Sequence, residues 1–235
     1  MLQPRTYPEL VGKALMLEAE PFLTLEEDDN PWVEGLFLVT CVGVLLGFAH
    51  LIGGLLWTAS LPPADAVREA MLPSVQQFAA RVGVVDATQV ENAFRQFWGW
   101  SAGFFGYQGG LARFFFAFLE PVWMVLQWFM MALITHSVAR LLGGNGTLVK
   151  TLGTTALGTA PYVLGLLTLI PFVSVSGLLL GVWSLLIVYR AVEISHDLSW
   201  QRAAIATLAT PVVLLLLAFF FAASTTAMFT LGGGA

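Results

Sequence analysis

Charge is scarce in this chain. Asp, Glu, Lys and Arg make up 11% of its 235 residues, against about 25% in an average soluble domain. Mean hydropathy is +0.80, which excludes a soluble fold and points to an integral membrane protein. Lys and Arg total only ten and are thinly spread. That leaves no basic patch for nucleic acid and no polybasic cluster for anionic lipid. The one cysteine, Cys41, lies in an apolar run, so an intrachain disulfide is excluded and it reads as a small buried hydrophobe. The first thirty residues are acidic and lack the basic-then-apolar layout of a signal peptide, so the first membrane segment is expected to serve as the insertion signal. Also missing are H-E-x-x-H, G-x-S-x-G, a P-loop and a cysteine pair. No enzyme activity, metal or cofactor is therefore expected.

What the chain has instead is long apolar runs. A bilayer core about 30 Å thick needs about 20 helical residues, and five segments qualify: 33–59, 114–139, 150–170, 174–192 and 204–229. The fold class expected is an all-α integral membrane protein, a five-helix transmembrane bundle with amphipathic interfacial helices in the N-terminal segment and the first long loop. Its parts are an acidic segment over 1–31, a first transmembrane helix over 32–60, an extramembrane amphipathic and aromatic connection over 61–112, and a four-helix membrane region over 113–235. Trp32 and Trp57 bracket the first span as interface anchors. Pro171 stops the third span and makes a tight hairpin with the fourth, whereas Pro161 and Pro211 fall inside spans, where a missing N–H predicts a bend.

Near the amino terminus, Leu10, Ala14 and Leu17 share one face of a short interfacial helix. In the long connection, Val67, Met71, Val75, Phe78 and Val82 recur at helical spacing, and Thr88 with Glu91 forms a capping-box pattern. Two amphipathic helices are expected there. The aromatic, glycine-rich stretch 97–110 then approaches the second span, as an interfacial or re-entrant segment. Six Lys and Arg fall on the amino-terminal side and four opposite, which predicts a cytoplasmic amino terminus and an outside carboxy terminus.

Polar residues within spans are the candidates for chemistry. Arg113, Glu120 and Gln127 stand seven apart and form a seam on the second helix. Glu120 is expected to be protonated, paired or wetted: a structural hydrogen bond or part of a proton path. In the first helix Gly43, Gly47, His50 and Gly54 share a face, and Gly43 with Gly47 makes a G-x-x-x-G pair that allows close helix approach. Gly177 and Gly181 repeat the pattern in the fourth. His50 reads as a packed histidine or a cofactor ligand, and His136 lies in another span near the opposite membrane face. Thr147, Thr151, Thr154, Gly158 and Pro161 line one side of the third helix, which is expected to pack against the first or fourth.

The stretch 141–203 carries a further signal: the Gly143-Gly144-x-Gly146 loop, Pro161, the Ile170-Pro171 hairpin, Trp183, the His196-x-Leu198-Ser199 turn and, beyond it, Pro211. In this order and spacing they resemble the Yip family, the Ypt/Rab-interacting membrane proteins, in its bacterial form, mainly over residues 141–230. The resemblance implies five membrane helices with a cytoplasmic amino terminus, and it leaves 60–112 outside. Eukaryotic members bind Rab GTPases in vesicle traffic; bacterial members share the membrane domain. The function expected is a noncatalytic membrane scaffold or interaction protein, such as an accessory subunit of a larger complex in a bacterial plasma membrane. Its partners would be lipids and other membrane proteins, in a hetero-complex or homo-oligomer. The alternatives are a small channel or transporter using Glu120, and pigment or haem binding through His50 or His136.

Overall fold

The computed structural model describes residues 2–83, 86–105 and 111–232. These residues are helical almost throughout: α1 Tyr7–Leu15, α2 Glu20–Glu26, α3 Pro31–Ala59, α4 Ala64–Arg81, α5 Ala87–Phe105, α6 Leu111–Leu141, α7 Leu148–Thr155, α8 Gly177–His196 and α9 Trp200–Gly232. Five helical stretches are long and apolar enough to cross a membrane: Pro31–Ala59, Ala112–Leu141, Leu148–Leu169, Gly177–His196 and Trp200–Thr225. The protein is an all-α, multi-pass membrane protein. The aromatic stretch 97–110, read as an interfacial or re-entrant approach to the second span, falls partly at 106–110, outside the described residues.

The third span departs from a simple bent helix. It is α-helical only to Thr155 and continues as a 3₁₀ helix over Ala156–Leu169. Pro161 cannot donate a hydrogen bond, and the tighter pitch starts five residues before it. Threonine hydroxyls take up carbonyls along this span: Thr155 Oγ1 donates to Thr151 O (2.6 Å), Thr159 Oγ1 to Ala156 O (2.7 Å) and Thr168 Oγ1 to Gly165 O (2.7 Å). A 3₁₀ helix rises about 2.0 Å per residue against about 1.5 Å for an α-helix. Residues 148–169 therefore extend farther than their number suggests.

The chain forms two compact units. The first comprises Met1–Val42, Met124–Pro161 and Gly177–Ala235; the second comprises Gly43–Trp123 and Tyr162–Ser176.

In the first unit a core of Ala139, Val188, Val192, Leu198, Ala203 and Ala206 joins α6, α8 and α9. Small residues dominate because helices that gain no hydrophobic drive from lipid must approach closely to gain dispersion energy. The turn after α6 ends it in a Schellman arrangement: Gly143 N donates to Arg140 O and Gly144 N to Ala139 O, with Gly143 at φ 91°. Leu17 takes the same left-handed position after α1, at φ 60°. It therefore leaves the helical face assigned to it beside Leu10 and Ala14, which are buried.

The N-terminal segment is a folded cap. Phe22 and Leu25 of α2 are buried, Trp183 Nε1 donates to Leu15 O at 3.1 Å, and Lys150 Nζ donates to Glu26 Oε1 at 3.0 Å. The Tyr7 hydroxyl donates to Glu34, which is fully buried at the start of α3. Burial, and then the Glu34 carboxylate, push the Tyr7 phenol well above the ordinary tyrosine range. Removing that hydroxyl takes a donor from a buried carboxylate, a loss of about 1–3 kcal/mol. Tyr7→Phe is accordingly expected to speed proteolytic cleavage at the exposed Glu27, Asp29 and Asn30 before α3, as followed on gels of the membrane-embedded protein.

The second unit holds the two amphipathic helices α4 and α5, which pair with each other. No residue of α4 is buried, and Met71, Phe78, Val82, Phe97 and Trp100 are exposed. The start of α5 differs from the capping box read from Thr88 and Glu91. Asp86 Oδ1 accepts from Thr88 N (2.9 Å) and Gln89 N (3.1 Å), so Asp86 caps a helix that begins at Ala87. Glu91 instead pairs with Arg95.

Candidate functional site

Two polar junctions lie within the membrane helices, one in each unit.

In the first unit, His136 of α6, Thr151 of α7 and His196 of α8 meet. Thr151 Oγ1 lies 2.8 Å from His196 Nε2 and 3.0 Å from His136 Nδ1, and the two ring nitrogens are 3.3 Å apart. His196 is fully buried, and its Nδ1 has no hydrogen-bond partner. An N–H there would be unpaired, so the proton belongs on Nε2. One arrangement satisfies every contact at Thr151. Its oxygen accepts from His196 Nε2–H and His136 Nδ1–H, while its own hydroxyl donates to Thr147 O at 2.9 Å.

The loop before α7 closes over this junction. A Cβ on Gly144 would lie 2.7 Å from His196 Nδ1, and one on Gly146 would lie 2.9 Å from the same atom. Asn145 N donates to His196 O (3.1 Å), and Arg140 Nη1 to Gly144 O (2.9 Å). Thr135 and Thr210 add a hydroxyl contact of 3.0 Å between α6 and α9. His136 thus meets His196, which sequence reasoning placed only in a family turn. Among the described residues, no three of His, Cys, Asp and Glu cluster as metal ligands would.

In the second unit, α3 and α6 run antiparallel in close contact. A Cβ on Gly43 would fall 2.6 Å from Pro121 Cα, one on Gly47 would strike the Ala117 carbonyl, and one on Gly54 would lie 2.8 Å from Arg113 Nε. Arg113 Nη2 donates to Thr58 Oγ1 at 2.8 Å, and that hydroxyl donates to Gly54 O at 2.8 Å. Glu120 Oε2 stands 3.7 Å from His50 Nδ1. The seam of Arg113 and Glu120 therefore pairs across to α3 and not along α6. Gln127 is exposed.

The other glycines of the sequence pattern divide. Gly158 packs against Val188 and Ser184 of α8, 2.6 Å and 3.5 Å from where its Cβ would be, so the third span does meet the fourth. Gly35 and Gly153, not singled out from sequence, press on Leu152 O and Pro31 respectively. Gly177 and Gly181 have nothing within 4 Å of a built Cβ. Among the described residues, their G-x-x-x-G spacing makes no close helix contact.

The family model described as Yip1 domain matches residues 18–222. The chain belongs to the Yip1 domain family. No curated protein and no solved structure matches it. The Yip1 domain match begins far ahead of residue 141, ends at 222, and covers 60–112, which the resemblance had left outside. The glycine and proline punctuation that carries the resemblance is concentrated after residue 141. The amphipathic α4 and α5 have no comparable markers, and so gave no sign of belonging.

Proposed function

We propose that this Yip1 domain protein is a noncatalytic membrane scaffold or interaction protein, acting as an accessory subunit of a larger membrane complex. The observation that carries the reading is the N-terminal cap. Three links pin it to membrane helices: Tyr7 to Glu34, Trp183 to Leu15 and Lys150 to Glu26. Its outer side exposes Glu9, Glu18, Glu20, Glu27 and Asp29. The Lys13 ammonium, bonded first to Glu20 and then to Glu9, is held above the usual lysine range and ties two of these acids together. A rigid acidic face suits a partner with a basic surface, because it loses little entropy on binding and steers encounter.

The exposed apolar side chains of α4 and α5 supply a second surface. The charge asymmetry of the loops supports a cytoplasmic amino terminus and an outside carboxy terminus, and the resemblance to bacterial Yip proteins supports a bacterial plasma membrane. Quantitative interaction mapping after mild-detergent extraction tests the proposal. A partner that co-purifies with the intact chain should fall at least several-fold in Glu18→Lys/Glu27→Lys/Asp29→Lys. Equal recovery from both forms would count against the cap as the docking face.

A further inference from the structure

The hairpin of α4 and α5 in the second unit has one apolar side and one polar side. The two helices are joined by five residues, 82–86, and pack on each other, which makes them antiparallel. Half-buried residues, among them Leu72, Val75 and Ala79 on α4 and Phe94 and Trp98 on α5, mark the sides on which they meet. At about 100° per residue, Met71, Phe78 and Val82 lie about 40–90° around α4 from that line. Phe97 lies about 80–90° around α5 in the same rotational sense. On two antiparallel helices, displacements of the same sense point to the same side of the pair. Asp65 and Glu69 on α4, and Asn92 and Arg95 on α5, are displaced the other way.

We propose that this apolar side is seated in the headgroup region of the bilayer, so that the hairpin lies flat on the membrane beside the ends of α3 and α6, held by apolar contact and without selecting anionic headgroups. The assignment names lipid as the occupant of the second surface described above, and it does not depend on the partner proposed at the N-terminal cap.

Tethering is the first argument. Four residues separate the end of α3 from α4, and five separate the end of α5 from α6. Such links reach about 13–18 Å at full extension. Because α3 and α6 are both spans, the start of α4 and the end of α5 stay near the membrane surface. The apolar side, however, continues to the far end of the hairpin, where Phe78 and Val82 are 68% and 62% exposed. They lie about 20 Å or more along α4 from Ala64, whereas a headgroup layer is only about 5–8 Å deep. An upright hairpin would hold these side chains in water, and a flat one buries them. Charge is the second argument. Residues 64–105 carry three Arg against four Asp and Glu. Arg68 is paired with Asp65 at 2.9 Å and Arg95 with Glu91 at 2.7 Å. No basic surplus is left to draw the hairpin to anionic lipid, so its attachment comes from the apolar area it buries. The side chains themselves suit the interface: Phe97 and Trp100 are exposed, and aromatic rings are favoured at headgroup level.

The test is electron paramagnetic resonance of the full chain in phosphatidylcholine vesicles. On a Cys41→Ala background, a nitroxide is attached singly to Met71→Cys, Phe78→Cys or Phe97→Cys on the apolar side, and to Glu69→Cys or Asn92→Cys on the polar side. The ratio of oxygen to water-soluble nickel accessibility should be at least fivefold higher at the first three positions than at the last two. Replacing a third of the lipid by phosphatidylglycerol should change that ratio less than twofold. Because the labels alter the apolar side, a photoreactive phosphatidylcholine is also cross-linked to the unsubstituted protein, and it should mark peptides within 67–82 and 90–100. Free access of nickel to positions 71, 78 and 97 would place that side in water. Labels shielded from both reagents would mean that the bundle, a second copy or a protein partner covers it. A larger response to phosphatidylglycerol would make charge the attachment. Any of these results, or an absence of cross-links in both peptides, would overturn the proposal.

Discussion

His196→Ala is expected to destabilise the protein by about 3 kcal/mol. The substitution removes a fully buried ring and leaves a cavity between α6, α7 and α8, which in a rigid core costs about 2–5 kcal/mol. It also takes a hydrogen-bond partner from the buried Thr151 hydroxyl and the support from beneath Gly144 and Gly146. Thermal unfolding in detergent, followed by circular dichroism, measures the effect. Thr151→Val removes the shared hydroxyl with little change of volume. If the junction acts as a unit, a double-mutant cycle between His196→Ala and Thr151→Val should return a coupling of about 1 kcal/mol or more. Additive losses would mean that His196 only fills space.

Gly47→Leu is expected to prevent the second unit from folding, whereas Gly181→Leu is expected to be tolerated. The Cβ of residue 47 would strike a backbone carbonyl at Ala117, and backbone cannot yield as a flexible side chain can. Overpacking of even an adaptable site costs about 1–3 kcal/mol. At Gly181 nothing stands within 4 Å. Both substitutions add the same apolar side chain to a membrane helix, so the comparison isolates backbone contact from hydropathy. Size-exclusion chromatography after extraction should show aggregated Gly47→Leu beside a wild-type profile for Gly181→Leu. Aggregation of Gly181→Leu as well would show that its face is covered in the assembled protein.

These two glycine pairs show where sequence stops being informative. Gly43/Gly47 and Gly177/Gly181 have the same spacing and similar apolar surroundings, yet among the described residues the first pair meets another helix and the second does not. Spacing reports which residues share a face, but not what lies opposite. The spans themselves were legible because length and hydropathy are local properties, and Pro171 was legible because a missing N–H acts locally. The 3₁₀ course of 156–169 was not, since a single proline does not specify how far a change of pitch will spread. Glu34 and His196 were missed for a related reason. Their partners Tyr7, Thr151 and His136 lie 27 to 60 residues away, and nothing in the local pattern separates a buried charge near a helix start from a solvated one. His50 and Glu120 could be named as candidates, but not paired, until α3 and α6 were aligned.

On the function proposed above, this Yip1 domain chain works through a protein partner held at its N-terminal cap. The most direct measurement is the mass of the particle extracted from its own membrane into polymer nanodiscs and released intact in a mass spectrometer. The expected result is a stoichiometric complex in which a second membrane protein accompanies the 25.4 kDa chain and is lost when Glu18, Glu27 and Asp29 are changed to lysine. A lone chain of that mass, carrying lipid but no protein under conditions that preserve known membrane complexes, would contradict it.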